Sequence, residues 1–124
     1  MTTPADELRT AAARLSALAA AATPGSWWAE ELPANDHHKH PAHWVKTEYE
    51  DGENCLTSQV VADCPWAQAD ADFIELMNPG VGAAFADWLD AEAAHRRAVD
   101  VGQPMPGHEH ALAVARQINT GGTR

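Results

Sequence analysis

Histidine is the residue type in this chain whose spacing most suggests a chemical role, because four of its seven histidines fall between positions 37 and 43. Imidazole nitrogen and cysteine sulfur are preferred zinc ligands. A zinc site built from His37, His40, His43 and Cys64 is therefore one hypothesis. The spacing matches no zinc finger or ribbon, and the chain has no Cys-x-x-Cys pair. We therefore predict a solvated loop without a metal or another cofactor, with zinc as the alternative that elemental analysis of untagged protein would detect.

Residue types for nucleophilic catalysis are also present, in Cys64, His43 and Asp63. No nucleophile elbow or papain-like pattern surrounds them, and Gly80-Val81-Gly82 lacks the third glycine and the preceding strand of a dinucleotide fingerprint. A hydrolase using Cys64 remains an alternative, but the prediction is a protein that is not an enzyme. A disulfide with Cys55 is not expected, because nine extended residues span roughly 30 Å.

The charge balance points to protein partners. Eight Lys and Arg stand against 18 Asp and Glu, for a net charge of −10. Such a surface repels nucleic-acid phosphates and anionic membranes, whereas it attracts proteins with basic surfaces. Carboxylates cluster after position 47, and an exposed tryptophan would anchor a contact. The predicted partner-binding residues are Glu48, Glu50, Asp51, Glu53, Trp28 and Trp44.

Size and the absence of targeting signals complete the broad classification. The 124 residues suit one domain, which we expect over residues 1–119, with a disordered tail at 120–124. Neither a signal peptide nor an apolar run of membrane-spanning length is evident, so we expect a cytoplasmic protein with reduced cysteines. A homodimer would form if the apolar stripes exceed what one monomer can cover.

Hydrophobic periodicity and turn residues predict an α+β fold. Thr3 and Pro4 begin a first helix, and Asn78-Pro79 begin a third. Asp51-Gly52 is a turn signal between two strands of a hairpin. The predicted elements are a helix at 4–22, an extended segment from 27, strands at 43–49 and 55–62, and helices at 65–77, from 79, and at 108–118. We expect a small antiparallel sheet, a hairpin or three strands, packed against three to four helices.

Two side-chain patterns predict how these elements pack. The first and third helices have apolar faces suited to covering the sheet, which needs such a cover. In the second helix, Trp66, Ala69, Phe73 and Met77 share one face. The doubled Trp27-Trp28 places one ring on each face of its strand. The hairpin register is open, because Val60-Val61 breaks strict alternation.

Two stretches resemble a family of small phage proteins. An Ala-rich helix from Leu8 ends in Ala22-Thr23-Pro24-Gly25-Ser26-Trp27, which is similar to the helix-then-TPGPW opening of the Ead-like family of enterobacterial phages and of actinobacterial and actinophage proteins. The later stretch ADADFIELMNPGVGAAFADWL, residues 69–89, is similar to a second landmark of these proteins. Ser26 replaces the usual proline, and the tryptophan is doubled. The resemblance implies a phage or prophage accessory protein, and it carries no catalytic residues over.

These observations favour a non-enzymatic phage-type accessory protein that binds a host protein with a basic surface. The alternative is a metal- or small-ligand-binding regulator that uses the His-rich segment.

Overall fold

The architecture is α+β, as predicted, with four helices and one three-stranded antiparallel sheet among the described residues. The computed structural model describes residues 2–35, 41–50, 52, 55–64, 68–98 and 108–121. In chain order the elements are α1 (Pro4–Ala21), β1 (Ser26–Leu32), β2 (Ala42–Glu50), β3 (Leu56–Asp63), α2 (Gln68–Leu76), α3 (Pro79–Ala98) and α4 (His108–Thr120). They group into two compact units: a helical unit (Met1–Ala21 and Gly82–Arg124) and a sheet unit (Ala22–Val81).

The predicted bounds of the first and last helices and of the hairpin strands agree with the structure to within one or two residues. Thr120, assigned to the tail, is the last residue of α4, where its hydroxyl donates to the Arg116 carbonyl oxygen at 2.7 Å. Residues 99–107 and the tail residues 122–124 lie outside the described residues, as does the start of the second predicted helix. The sequence predicts one domain over residues 1–119, and the grouping into two compact units leaves this as a prediction.

The helical unit is held by a small core in which alanine predominates. Leu8 and Leu89 are its large, fully buried side chains. Partly buried side chains surround this core, among them Trp88 and Ile118. Leu89 of α3 and Ala115 of α4 are buried in this core, whereas the apolar face of α1 ends early, since Leu18 is 59% exposed. Alanine contributes little area, so the two leucines supply much of the burial here.

Polar contacts fasten α4 to α1. Arg14 donates from Nη1 to the Ile118 carbonyl oxygen at 3.0 Å, near the end of α4, where the same oxygen accepts the Gly121 N–H at 3.3 Å. Arg116 forms a bidentate ion pair with the Glu7 carboxylate, with both N–O distances at 3.2 Å. The Asn119 amide donates to the Glu7 backbone oxygen at 3.1 Å. These contacts position the C-terminal helix along the first one.

A reciprocal cap begins α1, as the sequence predicts for Thr3. The Asp6 backbone N–H donates to the Thr3 hydroxyl at 3.1 Å, and the Thr3 N–H donates to the Asp6 carboxylate at 3.2 Å. Arg9 pairs with the same carboxylate at 2.9 Å. The hydrogen bonds from Arg9 and Thr3 lower the pKa of Asp6 from 3.8 to about 2.

We expect this lowered pKa to make the stability of the helical unit depend on acid pH. The charged carboxylate contributes its full stabilisation above pH 3.8, and the contribution is lost as the pH falls through about 2. Denaturant titrations at a series of pH values between about 5 and 2 should therefore show wild type more stable than Asp6→Asn at the upper end and the two converging at the lower. A gap that stays constant with pH would contradict the role of the Asp6 charge.

The sheet unit is a meander with strand order β1-β2-β3 and antiparallel pairing throughout. Val45 pairs with Ala62 and Lys46 pairs with Val60, so that Val61 is an extra residue in β3. This β-bulge answers the register question: Val60 and Ala62 each keep a partner, and the break in alternation falls at Val61. Asp51 of the predicted turn lies outside the described residues, and Gly52 lies in a turn.

Within the sheet unit, α2 covers one face of the sheet, a role for which the sequence favoured the first and third helices. Residues of α2 contact all three strands. Ala71 is fully buried there, whereas Phe73 is 65% exposed and Met77 is 41% exposed. Helix α2 therefore turns Ala71 toward the sheet and Phe73 outward, and Met77 just beyond the helix is exposed too. A face shared by large apolar residues usually packs inward, so the structure reverses the usual reading of this pattern.

Candidate functional site

Strand register sorts the side chains of the sheet onto two faces. Val45 and Thr47 of β2 are fully buried on one face. His43 shares this face, and its Nδ1 lies 2.6 Å from the Gln68 side-chain oxygen of α2. This is therefore the face that α2 covers. Because side chains alternate along a strand, Trp44, Lys46 and Glu48 lie on the opposite face.

The opposite face, which we call the acidic face, brings Trp28 and Trp44 close together. Trp28 pairs with Lys46 across the strands, and Glu30 pairs with Trp44. The Lys46 ammonium nitrogen lies 3.4 Å from a Glu30 carboxylate oxygen and 6.0 Å from the centre of the Trp28 ring. Both tryptophans are half-buried. As predicted, Trp27 lies on the other face, so the doubled tryptophan presents one ring to each side.

Carboxylates surround these rings. Glu48 and Glu50 continue the acidic face along β2, and Asp63 pairs with Trp44 from β3. All three are exposed. The strands thus place four carboxylates on this face against one cation, Lys46, which is already paired with Glu30. The predicted residues Asp51 and Glu53 lie outside the described residues. The acidic face consists of Trp28, Glu30, Trp44, Lys46, Glu48, Glu50, Leu56, Ser58, Val60 and Asp63.

Some members of this face carry no signal as single residues. Leu56 is 67% exposed and Val60 is 41% exposed, so both add apolar area beside the carboxylates. Alternation along the strands would have placed them there, once the bulge at Val61 was known. The alternation in the sequence could therefore assign these two residues to the acidic face, but only once the strand register was known.

The Thr23–Trp27 motif sets where β1 begins and joins it to β2. Gly25 has a φ of 94°, a left-handed conformation that glycine adopts without strain. The Trp27 indole N–H donates to the Thr23 carbonyl oxygen at 3.0 Å, and the buried Thr47 hydroxyl donates to the Pro24 carbonyl oxygen at 2.7 Å. The motif is therefore a structural connector that fixes the register in which Trp28 reaches the acidic face.

This helix-to-strand motif is one of the two stretches whose sequence resembles a family. The sequence profile described as Ead/Ea22-like protein matches residues 8–121. The chain belongs to the Ead/Ea22-like family. The match includes the motif, the whole sheet and most of every helix of this Ead/Ea22-like chain, and it makes the protein one of a phage-associated type. No curated protein and no solved structure matches the chain.

The residues proposed for zinc are only partly within the described chain. His37 and His40 lie outside it. His43 and Cys64 are neighbours in the β2–β3 ladder, where the Cys64 backbone N–H donates to the His43 carbonyl oxygen at 2.7 Å. No group of three or more His, Cys, Asp or Glu side chains in the described ranges is arranged to hold a metal ion. For this Ead/Ea22-like chain, a loop without a metal stays the prediction and zinc stays the alternative.

The two cysteines occupy opposite ends of β3. Neither Cys55 nor Cys64 forms a disulfide, and an eight-residue strand separates them, which agrees with the sequence argument. Burial, together with the nearby carboxylates of Asp70 and Asp63, raises the pKa of the Cys64 thiol. A raised thiol pKa lowers the fraction of nucleophilic thiolate at neutral pH.

None of the described helices of this Ead/Ea22-like chain is both long enough and apolar enough to cross a bilayer.

Proposed function

We propose that this Ead/Ea22-like chain is a non-enzymatic accessory protein that binds a host protein through the acidic face of its sheet. The observation that carries the proposal is the convergence on one face of two half-buried tryptophans, Trp28 and Trp44, with exposed carboxylates that include Glu48 and Glu50. Tryptophan is enriched among the residues that dominate binding energy at protein interfaces. Acidic surroundings select a partner with lysine and arginine beside an apolar patch.

The charge distribution supports a basic partner over other ligands. The single cation of the acidic face is paired with Glu30 at 3.4 Å, so the other carboxylates of the face have no cation on the strands themselves. A partner's lysines or arginines would pair with Glu48 and Glu50, while its apolar side chains pack on Trp44 and Leu56. The net charge of −10 would also speed encounter with a basic surface.

The residues considered for catalysis support a binding role. The His43 Nδ1 atom is already engaged by Gln68 at 2.6 Å. The Cys64 thiol has a raised pKa, which weakens it as a nucleophile. We therefore propose that this end of the sheet stabilises the fold and that the acidic face carries the function.

We predict that neutralising Glu48 and Glu50 removes most of the binding to the host protein. Untagged wild type and Glu48→Gln/Glu50→Gln would be immobilised, lysate of the natural host passed over each, and retained proteins identified by mass spectrometry. A protein retained by wild type and released by moderate salt should bind the variant about tenfold more weakly or worse, because two charged contacts are lost.

The matched control is Asp87→Asn/Asp90→Asn, which removes the same charge from exposed positions of α3. It should retain the same host protein as wild type. If both variants bind the host protein equally weakly, the effect comes from net charge and not from the acidic face. If Glu48→Gln/Glu50→Gln binds the host protein like wild type, the acidic face is not the binding site.

A further inference from the structure

The exposed side of α2 carries a continuous stripe of large apolar side chains. Phe73 is 65% exposed, Leu76 is 64% exposed and Met77, one residue beyond the helix, is 41% exposed. The Met77 N–H still donates to the Phe73 carbonyl oxygen at 3.0 Å, so the helical turn continues to this residue. Spacings of three and four residues place these side chains together. We call Phe73, Leu76 and Met77 the apolar stripe.

Carboxylates border the apolar stripe. At 100° per residue, Asp70 lies on one side of Phe73 and Asp72 on the other, and both are exposed. Helix α2, from Gln68 to Leu76, contains no lysine or arginine. Large apolar side chains exposed together mark interaction sites in soluble proteins. Here the side chains that border the apolar stripe are negatively charged.

The negative charge of this border decides whether a second copy of the chain or a basic partner occupies the apolar stripe. Pairing with a second copy would place the Asp70 and Asp72 carboxylates of both chains at one interface with no cation from either helix. The exposed fractions of the three side chains amount to about 300 Å² per chain, so two copies would bury about 600 Å², well below the roughly 1,200 Å² of a stable interface. Ion pairs must therefore add to the apolar area, and a partner with lysine or arginine beside its apolar side chains supplies them.

We propose that the apolar stripe docks a basic amphipathic helix of another protein. Its apolar side chains would pack on Phe73, Leu76 and Met77, while lysine or arginine on its flanks pairs with Asp70 and Asp72. Two helices would then pack along their apolar faces, with anchors at helical spacing. Because α2 covers the sheet face opposite the acidic face, the sheet unit has two interaction surfaces on opposite sides. The proposal goes beyond the acidic face and does not depend on it.

A model peptide tests the proposal with the full chain. The probe is a fluorescently labelled helix of leucine and lysine at amphipathic spacing, with a counterpart in which glutamate replaces lysine. Fluorescence anisotropy should show binding of the lysine peptide and not of the glutamate peptide. Phe73→Ala/Leu76→Ala should raise the Kd for the lysine peptide at least about tenfold, since these side chains are the anchors.

The control variant is Leu18→Ala, which truncates an exposed apolar side chain of α1, outside both the apolar stripe and the acidic face. It should bind the lysine peptide like wild type, and circular dichroism should show that both variants fold. Failure of wild type to bind, equal binding of both peptides, or equal weakening by both variants would overturn the proposal. A wild-type dimer in sedimentation that Phe73→Ala/Leu76→Ala dissolves would also overturn it, because a second copy would then cover the stripe.

The two proposals fail separately. Capture of the host protein by the acidic face should be unchanged in Phe73→Ala/Leu76→Ala, whereas peptide binding by the stripe should be unchanged in Glu48→Gln/Glu50→Gln.

Discussion

Replacing Gly25 with alanine should destabilise the sheet unit by about 2–5 kcal/mol. Two costs combine at this position. Gly25 has a φ of 94°, which disfavours any residue with a Cβ atom. In addition, a Cβ atom here would lie 2.5 Å from the Thr47 hydroxyl oxygen and would also collide with the Glu48 carbonyl oxygen. The latter is backbone of the central strand and cannot move without disturbing the β2 ladder.

Denaturant titration followed by circular dichroism measures this loss, and a glycine in open space provides the control. A Cβ atom added at Gly52 meets no atom within 4 Å, so Gly52→Ala should change the free energy of unfolding by less than about 0.5 kcal/mol. Similar effects of the two substitutions would show that Gly25 is not a special position. A loss confined to Gly25→Ala would establish the Thr23–Trp27 motif as the connector that starts the sheet.

Truncation of Leu8 to alanine should destabilise the helical unit by about 2–5 kcal/mol. Leu8 is fully buried, and alanines of three helices, including Ala93, Ala111 and Ala115, lie in the same core cluster. Alanines cannot extend to fill the space that the leucine leaves, so most of the cavity would persist. Net stabilities of small domains are only about 5–15 kcal/mol, which makes this loss a large fraction of the total.

Leu18 offers a matched control on the same helix. Its side chain is 59% exposed, so Leu18→Ala removes the same atoms at little cost in burial. We expect a change within about 0.5 kcal/mol in the free energy of unfolding by denaturant. Equal losses at Leu8 and Leu18 would contradict the position of the core in the helical unit.

Local signals in the sequence predicted most of the secondary structure. The Thr3 cap, the Asn78 cap and the Gly52 turn each depend on neighbouring residues alone, and each lies where it was expected. Side-chain alternation also placed Trp27 and Trp28 on opposite faces. These features follow from short-range stereochemistry, so the chain order of elements and the α+β class were predictable.

Features that depend on long-range pairing were not predictable in the same way. The position of the bulge at Val61 follows from the register between β2 and β3. Thr47 is buried with its hydroxyl donating to the Pro24 carbonyl oxygen, a contact between residues far apart in the sequence. The orientation of α2 was missed because periodicity identifies an apolar face without saying what covers it. In α2 the small Ala71 fits against the sheet, which leaves the larger Phe73 exposed.

The candidate site was predicted in part for the same reason. Composition and spacing singled out Glu48, Glu50, Trp28 and Trp44, and the sheet places all four on one face. Charge clustering along β2 was visible in the sequence, whereas the cross-strand neighbours of these residues were not. Lys46 beside Trp28 and Glu30 could be recognised only once β1 and β2 were paired.

Zero-length cross-linking of the complex is the most direct test of the acidic face as the binding site. A carbodiimide couples a carboxylate to a lysine amine only where the two touch, and mass spectrometry then identifies both residues. With the host protein captured by wild type, we expect cross-links from Glu48, Glu50 or Asp63 to lysines of the partner. Cross-links confined to carboxylates outside the acidic face, such as Asp87, Asp90 or Glu109, would contradict the proposed function.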